Sequence, residues 1–292
     1  MQLDNITIFE KQSLAPYAYT QAGGVVDYLA IPQSLTELKK LLHWAKDEQL
    51  AVHVFGRLSN LVVRDGGVRG LSILLHELHS ITTEGHNIVA ETGADLILVA
   101  EVAMEHSLTG LEWGAGIPGS VGGAVFMNAG AYGGQTDMVV TSVTAVMPDG
   151  QLQTFPRDML AFGYRQSLFQ TNGGIIVSAT FDLHPDDKQA IQQRMDVNNF
   201  KRADKQPLNY PSNGSVFKRP EGYFAGKLIM DSHLQGVRVG GVEVSKKHAG
   251  FMVNVANGTG NDYEDLIHYV QKTVQDKFGV LLETEVRIIG ER

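Results

Sequence analysis

The sequence predicts an α+β chain with a larger N-terminal module and a smaller C-terminal one. A β-α-β pattern near the start, a long β-rich stretch, and a second short set of helices and strands after a polar connector lead to that class. Val25 to Ile31 reads as a strand that Pro32 stops. Ser34 then opens a helix, with Glu37 completing a capping box and Leu35, Leu38, Leu41, Leu42 and Ala45 forming one apolar stripe. Ala51 to Phe55 is the next strand, so a parallel pair joined by a crossover helix is expected. Leu71 to Leu75 is another strand. Asn87 to Glu91, Met138 to Met147, Gln151 to Phe155 and Gly174 to Leu183 follow as strands, with Pro148-Asp149-Gly150 as a hairpin turn. Asp186 to Arg202 is polar and reads as a helical connector. Beyond it, Tyr223 to Met230 is helical and Gly250 to Val255 is a strand. Asp262 caps a helix with the stripe Tyr263, Leu266, Ile267, Val270 and Val274, and Gly279 ends it. Thr284 to Ile289 is the last strand.

Composition excludes several classes. A chain of 292 residues with 43% hydrophobic and 19% charged content folds; it is not disordered. There is no cysteine, which removes thiolate catalysis, disulfides and sulfur-ligated metal. The histidines show no H-x-x-x-H or H-E-x-x-H pairing, so no metal site is expected. A net charge of −8 speaks against broad nucleic-acid binding, yet it allows an anionic small ligand in a local cationic pocket. The segment MQLDNITIFE lacks a basic, apolar leader, and no apolar run reaches about 18 residues. A cytoplasmic chain without membrane or obligate protein partners is therefore expected.

The glycines cluster in three places: Gly56-Arg57-Leu58-Ser59-Asn60, the run from Gly114 to Ala124, and the run from Asn128 to Gly134. Such loops let backbone approach a ligand, and their N–H groups can cradle an anion such as a diphosphate. Turn-making in a β-rich domain is the competing reading. Neither the Rossmann fingerprint nor the P-loop is present, so a nucleotide would need another architecture. In the second module, PSNGSVFKRP presents Ser215 after an Asn213-Gly214 turn, with Lys218 and Arg219 behind it. A hydrolase elbow would carry glycine two residues after the serine, and here that position is Phe217. A turn serine that bonds backbone is the alternative.

Four runs occur in order: GAGIPGSVGGAVFMNAGAYGG, FGYRQS from Phe162, PSNGSVFKRP, and LETEVRIIG from Leu282. Together they resemble the motifs of the UDP-N-acetylenolpyruvoylglucosamine reductase (MurB) family, and the resemblance spans residues 10 to 290. It implies a two-subdomain FAD-binding module of the PCMH/VAO type plus a smaller C-terminal α+β substrate-binding domain. The implied ranges are 1–76 and 77–187 for the subdomains (FAD domain from about residue 22) and 200–292 for the substrate domain. The implied reaction is FAD-dependent, NADPH-driven reduction of the enolpyruvyl group of UDP-N-acetylglucosamine enolpyruvate to UDP-N-acetylmuramate, in peptidoglycan precursor synthesis.

The same resemblance assigns residues. Gly56, Ser59, Asn60, Gly116, Ile117, Pro118, Gly119, Ser120, Gly122 and Gly123 would hold a tight, non-covalent FAD. Arg57-Leu58 depart from the family pattern, which carries glycine in the middle of that loop. Arg165 would clamp the substrate carboxylate, since a guanidinium meets a carboxylate with two parallel hydrogen bonds. Ser215 would give a proton to C2, and Glu285 would be the catalytic carboxylate. Glu283 competes with it, because residues two apart in a strand face the same side. Lys205, Asn213, Lys218 and Arg219 would meet the UDP-sugar. His248 is expected to be structural. The short spacing from Arg165 to Lys205 matches the subtype without an extra tyrosine loop. A flavin oxidase of a small alcohol on the same fold is the alternative, and it needs no such arginine, serine and glutamate set.

Overall fold

The computed structural model describes residues Met1–Arg292. Strands β1 (Gln2–Leu3), β2 (Ile6–Ser13) and β3 (Val25–Ala30) precede helix α1 (Leu35–Asp47). Strands β4 (Val52–Phe55), β5 (Leu61–Val63) and β6 (Val68–Leu74) follow. Ser34 caps α1 as expected, its Oγ accepting the Glu37 N–H at 3.2 Å. The return bond lands one residue earlier, from the Gln33 N–H to Glu37 Oε2 at 2.7 Å. Leu38, Leu41 and Ala45 form the buried stripe. One sheet has the order β1-β2-β3-β6-β4, and β6 pairs with β4 in parallel. The expected neighbours β3 and β4 are thus separated by β6. Strand β6 is buried at nearly every position, which suits an interior place, whereas Val52 leaves β4 exposed at the edge.

Strands β7 (Ile81–Glu84) and β8 (Asn87–Glu91) lead to helices α2 (Leu96–Glu105) and α3 (Val121–Met127). Then come β9 (Val140–Val146), β10 (Leu152–Pro156) and β11 (Ile175–Asp182). They form an antiparallel sheet of order β10-β9-β11-β8-β7. The Pro148-Asp149-Gly150 turn closes as expected, with Gly150 at φ +83 and Asp149 Oδ1 accepting the Gln151 N–H at 2.9 Å. Helices α2 and α3 pack on this sheet around Ile88, Val99, Val125, Val143 and Phe181. Periodicity announces neither helix. LILVAEVAME is apolar almost all round, and α3 lies inside the glycine run.

Helix α4 (Lys188–Lys205) is the connector, and β12 (Ser212–Ser215) and α5 (Ala225–Asp231) follow it. Next are β13 (Arg238–Val239), β14 (Val242–Val244), β15 (Phe251–Asn254), α6 (Gly260–Phe278) and β16 (Arg287–Ile289). The sheet order is β12-β15-β14-β13, all antiparallel, while β16 pairs in parallel with β5. Helix α6 buries the expected stripe, from Tyr263 to Val274. Its N-cap is Thr259, and Asp262 completes the capping box from the third helical position. The last strand begins at Arg287, later than expected, because the chain bends at Glu285 and Val286 to reach the Val216 carbonyl.

Two compact units emerge. The first holds Met1–Phe9, Leu29–Arg57 and Leu71–Arg202. The second holds Glu10–Tyr28, Leu58–Gly70 and Ala203–Arg292, so it includes two N-terminal segments and begins its long segment inside α4. Arg64 holds one of those segments in place. Its guanidinium meets Glu264 of α6 at 2.9 and 2.6 Å and the Gly290 carbonyl at 2.9 Å.

Glu264 is 5% exposed, and the bonds from Arg64 hold its carboxyl below the usual range. A lowered carboxyl stabilises the fold while ionised. That contribution is complete above the ordinary value of about 4.3 and is lost as pH falls through the folded value. Glu264→Gln should therefore cost about 2 kcal/mol at neutral pH. The cost should shrink toward zero in acid, as urea denaturation at about pH 7 and about pH 3.5 would show. The same loss at both pH values would contradict the pairing.

Candidate active site

In the first unit, β4 delivers Gly56 against Ser120, where an added Cβ would overlap Ser120 Oγ. Ser120 caps α3, its Oγ accepting the Gly123 N–H at 3.3 Å. A bridge pairs Asp95 with Ser120, the Leu96 N–H donates to Gly119 O at 3.0 Å, and the Val121 N–H donates to Ala94 O at 2.9 Å. Arg57 Nη2 closes on Asp95 at 2.7 Å. The first two glycine segments are thereby tied together. Gly122 fits under Thr92, where a Cβ would overlap Oγ1.

Burial separates the expected cofactor residues into two sets. Ser120 and Gly122 are buried, whereas Gly116 to Gly119 are half-buried and Gly123 is exposed. The accessible lip is thus 116–119 and 123, with Gly56, Ser120 and Gly122 setting its shape. Gly116, Gly119 and Gly123 carry no side chain at this lip, which lets a ligand approach their backbone closely, and Asp95 balances the flanking Arg57. Leu58 occupies the other departure from the glycine pattern. It keeps a left-handed φ of +49 and a side chain only 3% exposed. Burying a leucine, worth about 1.5–3 kcal/mol, offsets a left-handed strain of about 1–2 kcal/mol.

Arg165 also lies in the first unit, in a tight turn where Gly163 and Gln166 exchange N–H···O bonds of 3.1 and 3.2 Å. Its φ is +56. Nη1 and Nη2 donate to the carbonyls of Asn128 at 3.3 Å and Gly130 at 3.2 Å. Both partners are backbone carbonyls, and these bonds orient the guanidinium. Gln170 Nε2 holds the Arg165 carbonyl at 3.0 Å, and Ser167 Oγ holds Phe126 O at 2.8 Å. The serine of FGYRQS therefore serves the loop that carries the arginine.

In the second unit, β12 pairs with β15 through a register shift between Ser212 and Ser215, with Gly214 at φ +76. Asn213-Gly214 is thus a bulge within a strand, where a turn was expected. A bulge re-aims the side chains around it. Ser215 is exposed, while Asn213 is 3% exposed with neither amide atom hydrogen-bonded. Asn213, expected on the substrate, thus brings to the bulge beside Ser215 a buried amide with both polar atoms unbonded.

The Val216 carbonyl accepts the N–H groups of Glu285 at 2.8 Å and Val286 at 3.3 Å, and the Lys218 N–H donates to Glu283 O at 2.9 Å. Asn60 Nδ2 donates to Glu285 O at 3.1 Å, and the Arg287 N–H donates to Asn60 O at 3.1 Å. Asn60, Ser215 and Glu285 therefore gather in one unit. Sequence reasoning placed Asn60 on the cofactor and missed this link to Glu285. The two glutamates part company: Glu283 is exposed and ion-pairs with Lys218 Nζ at 3.3 Å, while Glu285 is half-buried at the bend. The bend breaks the strand alternation that made them equivalent.

Among the other expected residues, Ser59 is half-buried and Lys205 ends α4 exposed. The Arg219 guanidinium lies 4.0 Å over the Phe224 ring. His248 is structural as expected. Its Nδ1 accepts the Gly250 N–H at 3.1 Å, its ring meets Phe251 edge-on at 4.8 Å, and burial lowers its pKa. Phe251 is the residue opposite Ser215 in the sheet.

Comparison with known proteins gives a consistent result. An FAD binding domain model matches residues 26–156, and the model of the UDP-N-acetylenolpyruvoylglucosamine reductase C-terminal domain matches residues 206–289. A UDP-N-acetylenolpyruvoylglucosamine reductase of Leuconostoc mesenteroides is 76% identical over 292 residues, 100% of both chains. Another, of Lactiplantibacillus plantarum, is 56% identical over 286 residues, 98% of this chain and 95% of its own. The crystal structure of UDP-N-acetylenolpyruvylglucosamine reductase (MurB) from Thermus caldophilus superposes with a TM-score of 0.84 at 31% identity, covering 98% of this chain and 99% of that one.

The two sets of glycines predict different substitutions. Gly122→Ala should cost about 1–3 kcal/mol by overpacking against Thr92. At Gly123 a Cβ meets only Ser120 Oγ at 3.5 Å. Gly123→Ala should be neutral or stabilise α3 by up to about 1 kcal/mol. Urea denaturation of both variants checks this; equal losses would contradict the division between lip and support.

Proposed function

The chain belongs to the UDP-N-acetylenolpyruvoylglucosamine reductase family, and on that premise we propose how its residues reduce the enolpyruvyl group of UDP-N-acetylglucosamine enolpyruvate to give UDP-N-acetylmuramate. FAD is the cofactor, NADPH is the reductant, and the reaction belongs to peptidoglycan precursor synthesis. One observation carries the assignment of roles: the Glu285 N–H binds the carbonyl of Val216, next to Ser215, and the Asn60 side chain binds the Glu285 carbonyl. The small-alcohol oxidase reading has no use for that arrangement.

FAD is assigned to the lip at Gly116–Gly119 and Gly123, with Gly56, Ser120 and Gly122 shaping it; the family motif also assigns Ser59 and Asn60 to the cofactor. Bound there, FAD supplies the hydride chemistry, from NADPH to C3 of the enolpyruvyl group. Addition at C3 leaves negative charge at C2 and on the adjacent carboxylate. Arg165 meets the carboxylate with a guanidinium oriented by the Asn128 and Gly130 carbonyls. Ser215 gives its proton to C2. A serine hydroxyl is a weak acid and needs a neighbour that steadies the resulting charge or relays a proton. Glu285 is assigned that part, because the Val216 carbonyl ties its backbone beside the serine. Lys205, Lys218 and Arg219 are the cations assigned to the UDP-sugar.

The FAD module and the C-terminal substrate domain are proposed as the functional division, with residues 10–28 and 58–70 contributing to the second unit. No helix is long and apolar enough to cross a membrane. The cytoplasm is the proposed location.

Stopped-flow absorbance under anaerobic conditions tests the reading. NADPH should bleach the flavin, and UDP-N-acetylglucosamine enolpyruvate should restore its colour. Restoration by oxygen alone would favour the oxidase. Ser215→Ala should leave the bleaching rate nearly unchanged and slow the restoration by about 10²–10⁴-fold. Equal damage to both halves would remove the serine from proton delivery.

A further inference from the structure

The Arg165 loop depends on a residue that no motif singled out for chemistry. Asn128 ends α3 in the left-handed region, at φ +43, and is 1% exposed. Its side chain is fully engaged. Nδ2 donates to the Gly163 carbonyl at 3.0 Å and to Asp137 Oδ2 at 3.2 Å, while Oδ1 accepts the Asp137 N–H at 3.0 Å. Gln135 Nε2 also donates to Asp137 Oδ2, at 2.9 Å, which fixes that carboxylate from a second side.

Gly163 is the first residue of the turn that carries Arg165. Asn128 therefore reaches Arg165 by two routes: its amide holds the base of the turn, and its backbone carbonyl takes Nη1 at 3.3 Å. The turn is also strained, because Arg165 is a non-glycine residue at φ +56. Such a conformation persists only where its surroundings hold it, and the Asn128 amide is a bond to its base.

We infer that Asn128 is the positioning residue for Arg165, setting where the guanidinium meets the substrate carboxylate. This rests on the carboxylate-clamp role proposed for Arg165. Asn128 touches neither substrate nor cofactor in this reading. Its effect passes through the placement of one guanidinium, where a shift of about 1 Å can cost about 10²-fold in rate.

Asn128→Gly tests it, because glycine accepts the left-handed cap, keeps the carbonyl and removes only the amide. Asn128→Asp is the second variant, since it also tolerates the cap but cannot donate to Gly163 O when ionised. Each is made alone and together with Arg165→Ala. FAD affinity is read by flavin fluorescence, product affinity by calorimetry, and the two half-reactions by stopped flow.

Asn128→Gly should leave FAD affinity and NADPH bleaching nearly unchanged. It should raise KM for the enolpyruvyl substrate and slow restoration by about 10-fold or more. In the Arg165→Ala background it should add little, because residues acting through one group are not additive. The inference is overturned if Arg165→Ala cripples restoration while Asn128→Gly is silent. It is overturned equally if the full Asn128 effect persists without the arginine, or if both half-reactions fall together. If Arg165→Ala itself leaves restoration and KM intact, the clamp reading fails, and Asn128 loses its proposed role with it. Should Asn128→Gly not fold, the same comparisons are read on Asn128→Asp.

Discussion

The carbonyl of Val216 accepts N–H groups from Glu285 and Val286, and the side of the second unit that carries Ser215 depends on that junction. It joins two stretches far apart in the chain. It also bends the backbone at Glu285, which shortens the final strand and separates the two glutamates into different environments. Asn60 reinforces the junction by binding Glu285 O and accepting the Arg287 N–H. The bulge at Gly214 then exposes Ser215 and buries Asn213. Ser215 and Glu285 are thus joined through the backbone of Val216.

The first unit carries Gly56, the glycine run from Gly114 to Ala124, and Arg165. Its glycines do two kinds of work. Gly56 and Gly122 permit close chain-to-chain approach, at Ser120 Oγ and Thr92 Oγ1. Gly116 to Gly119 stay half-buried and Gly123 is exposed, although Gly116 also sits close to Asn199. Two backbone carbonyls orient the Arg165 guanidinium. The ion pairs Arg57–Asp95 and Arg64–Glu264 fix loops.

Much of this was legible in the sequence. Ser34, the Pro148-Asp149-Gly150 turn, Gly279 and the α6 stripe declare themselves through local chemistry, and the structure has them in place. The motif runs led to the family and to Ser215 and Arg165. What could not be read depends on contacts distant in sequence. The insertion of β6 beside β4 is set by burial across a sheet. Helix α2 lacks a polar face to reveal its period. The burial of Asn213 needs the bulge, and the inequality of Glu283 and Glu285 needs the Val216 carbonyl. Asn128 could have been suspected as an asparagine that caps a helix in a left-handed conformation, but its hold on Gly163 belongs to the fold alone.

The central claim is that tethering to the serine strand makes Glu285, and not Glu283, the catalytic carboxylate. The most direct measurement is the rate at which UDP-N-acetylglucosamine enolpyruvate restores flavin colour in Glu285→Gln and Glu283→Gln, each pre-reduced with NADPH. The account predicts a loss of about 10²-fold or more for Glu285→Gln and a change of less than about 3-fold for Glu283→Gln. A large loss at Glu283 with Glu285→Gln near the parent rate would contradict it.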